Sequence, residues 1–141
     1  MPNRTVFFVS DGTGITAETF GNSILAQFPG KPRHVRRPFI DSVAKASTVV
    51  DEINTALAAN VNAYTRGSSS DVYAGSTGKL LVLAQAVGAD PSSYGGVNLV
   101  RRLNRRVSTD PVIRGRIEDK SGFGDYANVI GQARAVQGLA E

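Results

Sequence analysis

Apolar side chains cluster in short runs at the start of the chain and recur at helical spacing through most of the rest. Residues Thr5–Ser10 are β-branched or aromatic in succession and predict a buried strand. Asp11-Gly12-Thr13-Gly14 follows as a turn. Phe20, Ile24 and Phe28 then return every fourth position, the mark of one helical face, and Pro29-Gly30-Lys31-Pro32 stops that helix. His34–Ile40 reads as a second strand, with Pro38 at an edge or near its end. Asp41 or Ser42 can cap a second helix whose apolar face is Val43, Ala46, Val50, Ile53 and Leu57. Strand, helix, strand, helix in so short a span predicts a parallel, doubly wound beginning.

The grammar then changes. Thr65–Ser70 is polar, with one glycine and three serines. Tyr73–Val87 has helical periodicity, with Leu80, Leu83, Ala84 and Val87 on one face and Gly88 as the stop. A turn over Asp90–Gly96 leads to a short helix in Val97–Arg106, and a charged, glycine-rich loop spans Val107–Gly124. The last helix is expected from Tyr126 to Leu139, with Val129, Ala133, Val136 and Ala140 together. No strand is expected after Ile40. The fold class is therefore an α/β segment of two parallel strands and two helices, residues 1–55, followed by an all-α segment of helix-pair type, residues 56–141. The whole is mixed and helix-rich.

Composition narrows the function classes. The 141 residues are 41% hydrophobic and 20% charged, the balance of a folded chain. With no cysteine, neither disulfides nor cysteine–zinc sites arise. The single His34 has no second histidine or cysteine with which to share a metal, and Glu118, Asp119 and Asp125 lack the spacing of a calcium loop. No metal and no cofactor are expected. No apolar run reaches the roughly 20 residues of a membrane span. The opening residues from Met1 are interrupted by Asp11 too soon for a signal peptide, so a cytoplasmic protein without membrane contact is expected. The net charge of +4 is concentrated in two clusters, Lys31–Arg37 and Arg101–Arg106. Neither has interleaved aromatics for base stacking, so both read as solvated faces rather than nucleic-acid surfaces.

The Asp11–Gly14 turn carries the candidate chemistry. Two glycines between a strand and a helix allow a tight turn and close backbone approach to a ligand. The unpaired N–H groups of the helix start and its dipole favour an anion there. Gly12, Thr13, Gly14 and Thr16 are the candidate phosphate-binding residues, with Arg36 or Arg37 of the next strand as countercharge. Asp11 is the candidate catalytic group, able to orient a water or hydroxyl. The competing reading is an ordinary βα turn in which Thr13 caps the helix and Asp11 braces the glycines. The dinucleotide fingerprint does not fit, because Ala17 stands where its third glycine belongs.

Residues 6–28, with Val6-Phe7-Phe8-Val9-Ser10-Asp11-Gly12-Thr13-Gly14 at their head, resemble the N-terminus of the bacterial phosphoenolpyruvate synthase regulatory proteins. So do Arg33–Val43, Lys45-Ala46 and Val49–Asn54. The resemblance covers about the first 54 residues. It implies a bifunctional serine/threonine kinase and phosphorylase, using ADP to phosphorylate a threonine and phosphate to remove it, with phosphoenolpyruvate synthase as partner. The family's nucleotide site is a later phosphate-binding loop. Its nearest counterpart here, Gly75-Ser76-Thr77-Gly78-Lys79, has Tyr73 in place of the leading glycine and Leu80 in place of the magnesium-binding hydroxyl. It therefore reads as a loop entering a helix, with Lys79 exposed.

From about Ala58 onward a different likeness holds. Residues 73–81, Gly88–Pro91, Tyr94–Val100, Gly122–Asn128 and Gly131-Gln132 resemble a terminal repeat of bacterial α/α-toroid proteins related to prenyltransferases and terpenoid cyclases. That implies architecture more than chemistry. The two likenesses together suggest a truncated or chimeric relative of the regulatory kinase/phosphorylase, inactive alone. The alternative is a non-enzymatic helical binding or surface module. In either case uncovered apolar faces predict self-association.

Overall fold

The computed structural model describes residues 4–66 and 70–140, so Gly67–Ser69 of the polar stretch and the first three residues of the chain lie outside the described residues. The elements in order are β1 (Thr5–Val9), α1 (Ile15–Leu25), β2 (Arg33–Arg37), α2 (Val43–Ala59), α3 (Val61–Thr65), α4 (Ala74–Ala86), α5 (Leu99–Asn104) and α6 (Val129–Ala140). The fold is mixed α/β with two parallel strands and a helix-rich remainder. Packing divides the chain into two compact units, Met1–Thr55 and Ala56–Glu141.

In the first unit β1 and β2 pair in parallel, with Phe8 opposite Arg36 and Val9 opposite Arg37. Side chains of a strand alternate between faces. Phe8 and Arg36 therefore share one face, and α1 covers it: Glu18 of α1 pairs with Arg36 at 3.2 Å. Arg37 lies on the other face and pairs with Glu52 of α2. One helix on each face is the doubly wound arrangement in miniature. Its apolar core is small, with Phe8, Val35 and Val49 its buried apolar side chains among the described residues.

Several helical faces differ from the sequence reading. The spacing of Phe20, Ile24 and Phe28 predicts their burial, yet they are 70%, 57% and 60% exposed, and Phe28 falls beyond the end of α1. The stripe turned to the sheet is Ala17, Gly21 and Leu25, one residue along the helix. Gly21 is what permits it, because a Cβ there would stand 2.2 Å from the Phe8 ring. In α2 the buried valine is Val49, while Val50 and Val43 are exposed. The second strand ends at Arg37 rather than Ile40, since Pro38 has no N–H with which to continue the ladder.

The second unit is built around α4. Leu80, Leu81, Leu99 and Leu103 are fully buried, joined by Val61, Ala74, Ala84, Tyr94, Ile117 and Ala135. Each buried leucine contributes about 1.5–3 kcal/mol of transfer free energy. Gly88 takes a left-handed φ of 69° just past α4, as a helix-ending glycine does. The segment between α5 and α6 makes isolated antiparallel bridges, Val107 with Ile117 inside it and Lys120 with Val72 ahead of α4, and no regular strand after β2 occurs among the described residues.

The face of α6 is a second correction. Val129 and Val136 are 80% and 63% exposed, and the buried stripe is Gly131, Ala135 and Gly138. The reason is the partner. Gly75 of α4 meets Gly131, Gly78 meets the backbone of Ala135, and Leu81 meets Gly138. Residue numbers rise together along both helices, so α4 and α6 run parallel at close backbone contact. Small residues admit that approach, and valines do not.

Candidate functional site

The strand-turn-helix corner forms as a left-handed step into α1. Gly14, at φ 78°, is the N-cap of α1, and no side chain caps the helix there. The Thr13 hydroxyl accepts a long bond, 3.5 Å, from the N–H of Ile15. The first-turn N–H groups of Thr16 and Ala17 have no intrahelical acceptor, as in every α-helix. Ser10 Oγ accepts from the N–H of Gly12 at 3.2 Å, which fixes the turn from the strand side. Asp11 and Thr16 are exposed.

The exit of β2 latches onto this turn. Phe39 donates its N–H to the Gly12 carbonyl at 2.8 Å, and Ile40 donates to the Ser10 carbonyl at 3.0 Å. To do so Phe39 takes φ 57°, the one non-glycine residue in the left-handed region among those described. A bulky residue there is strained by roughly 1–3 kcal/mol. Lys45 Nζ donates to the Phe39 carbonyl at 3.0 Å and to Asp41 at 2.7 Å, which holds the Asp41 carboxyl below its ordinary value. Sequence reasoning passed over this latch, whose one local signal is Pro38 immediately before Phe39.

Of the two arginines proposed as countercharge, Arg36 is the one that lies beside Gly14. It shares the α1 face, and its Cγ and Cδ lie 3.3 Å from where a Cβ on Gly14 would stand. Its guanidinium is held by Glu18, and any anion at the turn competes with that carboxylate. Arg37 turns to the opposite face, where its hydrogen bonds and charge hold the Glu52 carboxyl below its usual range. His34 stands on the α1 face, edge-on to Phe8 with ring centroids 5.2 Å apart.

Gly75–Lys79 is not a phosphate loop. All five residues lie inside α4, with Thr77 and Gly78 buried and only Lys79 exposed, so the expected loop is a helix. Thr77 Oγ1 donates to the Tyr73 carbonyl at 2.8 Å. The acidic residues nearby have structural roles. Asp119 accepts from the N–H of Ala74 at 2.7 Å and so caps α4 from 45 residues away. Asp125 accepts from the N–H groups of Asp119 and Ala127, at 2.8 and 3.0 Å, and pairs with Arg116 at 2.6 Å. Asn128, not a carboxylate, caps α6 through the N–H of Gly131. No metal-binding group of three or more histidine, cysteine or acidic side chains occurs among the described residues.

The kinase/pyrophosphorylase family model matches residues 6–72. That span takes in the whole corner, β2 and α2. A Leptothrix cholodnii protein whose name carries the words "phosphoenolpyruvate synthase regulatory protein" is 82% identical over 56 residues, which are 40% of this chain and 20% of that relative. A Methylibium petroleiphilum protein with the same words in its name is 85% identical over 54 residues, 38% of this chain and 20% of the relative. A Polaromonas protein so named is 73% identical over 56 residues. The chain thus spans about a fifth of the length of the curated relatives it matches. No solved structure matches it. No helix among the described residues is long and apolar enough to cross a membrane.

Proposed function

We propose that the first unit is the opening α/β segment of a phosphoenolpyruvate synthase regulatory kinase/pyrophosphorylase, binding phosphate at the Gly12–Gly14 turn without a complete phosphotransfer site of its own. The observation that carries this reading is left-handed Gly14 at the head of α1, with the Arg36 stem against it on the same face. In this reading the N–H groups of Gly14, Thr16 and Ala17 and the hydroxyls of Thr13 and Thr16 receive the anion, and Arg36 leaves Glu18 to neutralise it. Asp11, exposed at the turn, orients the attacking group in the family reaction. Phosphoenolpyruvate synthase is the protein partner, by way of the relatives' names, and the cytoplasm is the proposed setting.

ADP-dependent transfer is not expected from this chain, because its one glycine–lysine sequence of phosphate-loop type is packed into α4. A radiolabelled transfer assay with purified phosphoenolpyruvate synthase checks this, and robust Lys79-dependent phosphorylation overturns it. Phosphate binding is read by NMR amide shifts at residues 11–17. Asp11→Asn removes a negative charge and leaves the backbone cradle in place, so phosphate affinity holds or rises. Absence of any shift at those amides at millimolar phosphate overturns the anion site.

A second reading concerns residues 56–141, for which we propose a non-enzymatic helix-pair module of α/α-toroid type. The parallel contact of α4 and α6 favours it, because equivalent helices of successive helix-pair repeats lie side by side in the same direction. Such repeats bury their faces against neighbours, and Val129, Ile130 and Val136 of α6 are exposed here.

A further inference from the structure

The second unit contains a cleft of about 540 Å³ whose lining is dominated by cations: Arg66, Arg101, Arg102, Arg105, Arg106 and Lys120. They come from three parts of the chain. Leu99 and Leu103 fix α5 in the core, so the arginines two and three positions on from each, 101, 102, 105 and 106, are presented together. Arg66 follows α3, and the bridge between Val72 and Lys120 brings the lysine across from the later loop. No carboxylate lines the cleft among the described residues. Among the described residues, the salt bridge of the second unit does not involve Arg101, Arg102, Arg105, Arg106 or Lys120. Arg102 is held instead by neutral acceptors, Thr65 Oγ1 at 2.6 Å and Asn62 Oδ1 at 2.8 Å. Burial and the neighbouring charge of Arg66 both act to lower its pKa, so the like charges here repel one another.

We infer that this cleft is a binding site for a small polyanion carrying adjacent phosphates, of which inorganic pyrophosphate is the simplest. A concavity of one sign concentrates its field and draws in counter-ions. Guanidinium forks match phosphate oxygens in pairs, and one ligand with adjacent phosphates reaches several of them at once. The volume is that of a small-molecule site. No aromatic side chain lines it to stack a base, which favours a compact polyanion over a nucleic acid. This site lies within the second unit and is independent of the Gly14 turn.

The full chain titrated with pyrophosphate tests the inference, by calorimetry and by amide shifts. Shifts are expected at residues 98–106 and at Lys120, with pyrophosphate bound more tightly than orthophosphate. Arg101 and Arg105 are exposed and outside the core, so the double variant Arg101→Gln/Arg105→Gln is expected to fold as the parent does, checked by its thermal transition. It should lose roughly tenfold or more in pyrophosphate affinity, the scale of charge-assisted hydrogen bonds. Phe20→Ser, at an exposed position of the first unit, should leave that affinity unchanged. The inference is overturned if 5 mM pyrophosphate (about ten times a weak dissociation constant) moves none of those amides. It is equally overturned if the double variant binds as the parent does, if orthophosphate moves the same amides as tightly, or if a single-stranded oligonucleotide binds the cleft more tightly than pyrophosphate.

Discussion

At Gly14 two requirements fall on one residue. Its φ of 78° belongs to the left-handed region, and the Arg36 stem lies 3.3 Å from the position of a Cβ. Gly14→Val should therefore cost about 1–3 kcal/mol of stability through backbone strain. It should also weaken phosphate binding at the turn, as read by thermal unfolding beside the phosphate titration. Asp125 supplies a pH dependence. Burial alone raises its pKa, but the N–H groups of Ala127 and Asp119, with Arg116, outweigh burial and lower it. A carboxyl whose folded pKa is depressed stabilises the fold above its unfolded value, and that contribution is lost as pH falls through the folded value. Glu52, Asp41 and Asp90 are shifted the same way. Stability should thus hold at neutral pH and fall below about pH 4, the ordinary carboxyl range. Asp125→Asn should flatten that decline, measured by melting temperature against pH.

Among the elements, α4 depends on contacts made far away in sequence. Asp119→Ala removes its cap and should cost about 0.5–2 kcal/mol in urea unfolding. Gly78→Val should cost about 1–3 kcal/mol, despite valine's better helix propensity, because its Cβ would stand 3.0 Å from the backbone nitrogen of Ala135. The same contacts explain which elements the sequence announces. Both strands, α1, α2 and α4 are legible, because Thr5–Val9 is a β-branched and aromatic run and Leu80, Leu83, Ala84 and Val87 have helical spacing, although the leucine buried beside Leu80 and Ala84 is Leu81. The stop at Gly88 is legible from its position. The inward stripes of α1 and α6 are not, because they are built on Ala17 and Gly21, or on Gly131, Ala135 and Gly138. Periodicity weights large apolar side chains, and here glycine marks the contact surface. The five-residue α3 is too short to show a period. The arginines at 101–106 read as a solvated face because Arg66 and Lys120, far off in sequence, complete the cleft.

For the molecule as a whole, the amount of exposed apolar surface is the governing feature. Phe20, Ile24, Phe28 and Val43 in the first unit, and Phe123, Tyr126, Val129 and Ile130 in the second, are more than half exposed. Surfaces of this kind favour association. Concentration-dependent self-association is expected in sedimentation velocity, and Phe20→Ser/Ile24→Ser should reduce it with little loss of stability, since neither side chain is buried. A concentration-independent monomer with a single sharp unfolding transition counts against this. The glycine turn was legible at this scale because strand, turn and helix are contiguous in sequence. The Phe39 latch was not, since it depends on the path of β2.

The parallel contact of α4 with α6 also sets an order of events in time. Gly75 and Gly131 stand 56 positions apart, and a contact so distant in sequence forms slowly, after its intervening loop has closed. While the chain leaves the ribosome, β1, α1, β2 and Glu52 of α2 are all present by residue 55, whereas Leu81 waits for Gly138. The second unit is therefore the last to mature and the most exposed to proteases and chaperones before it does. Nascent chains stalled before residue 129 should be cleaved readily between α4 and α5, and chains extended past Ala140 should resist.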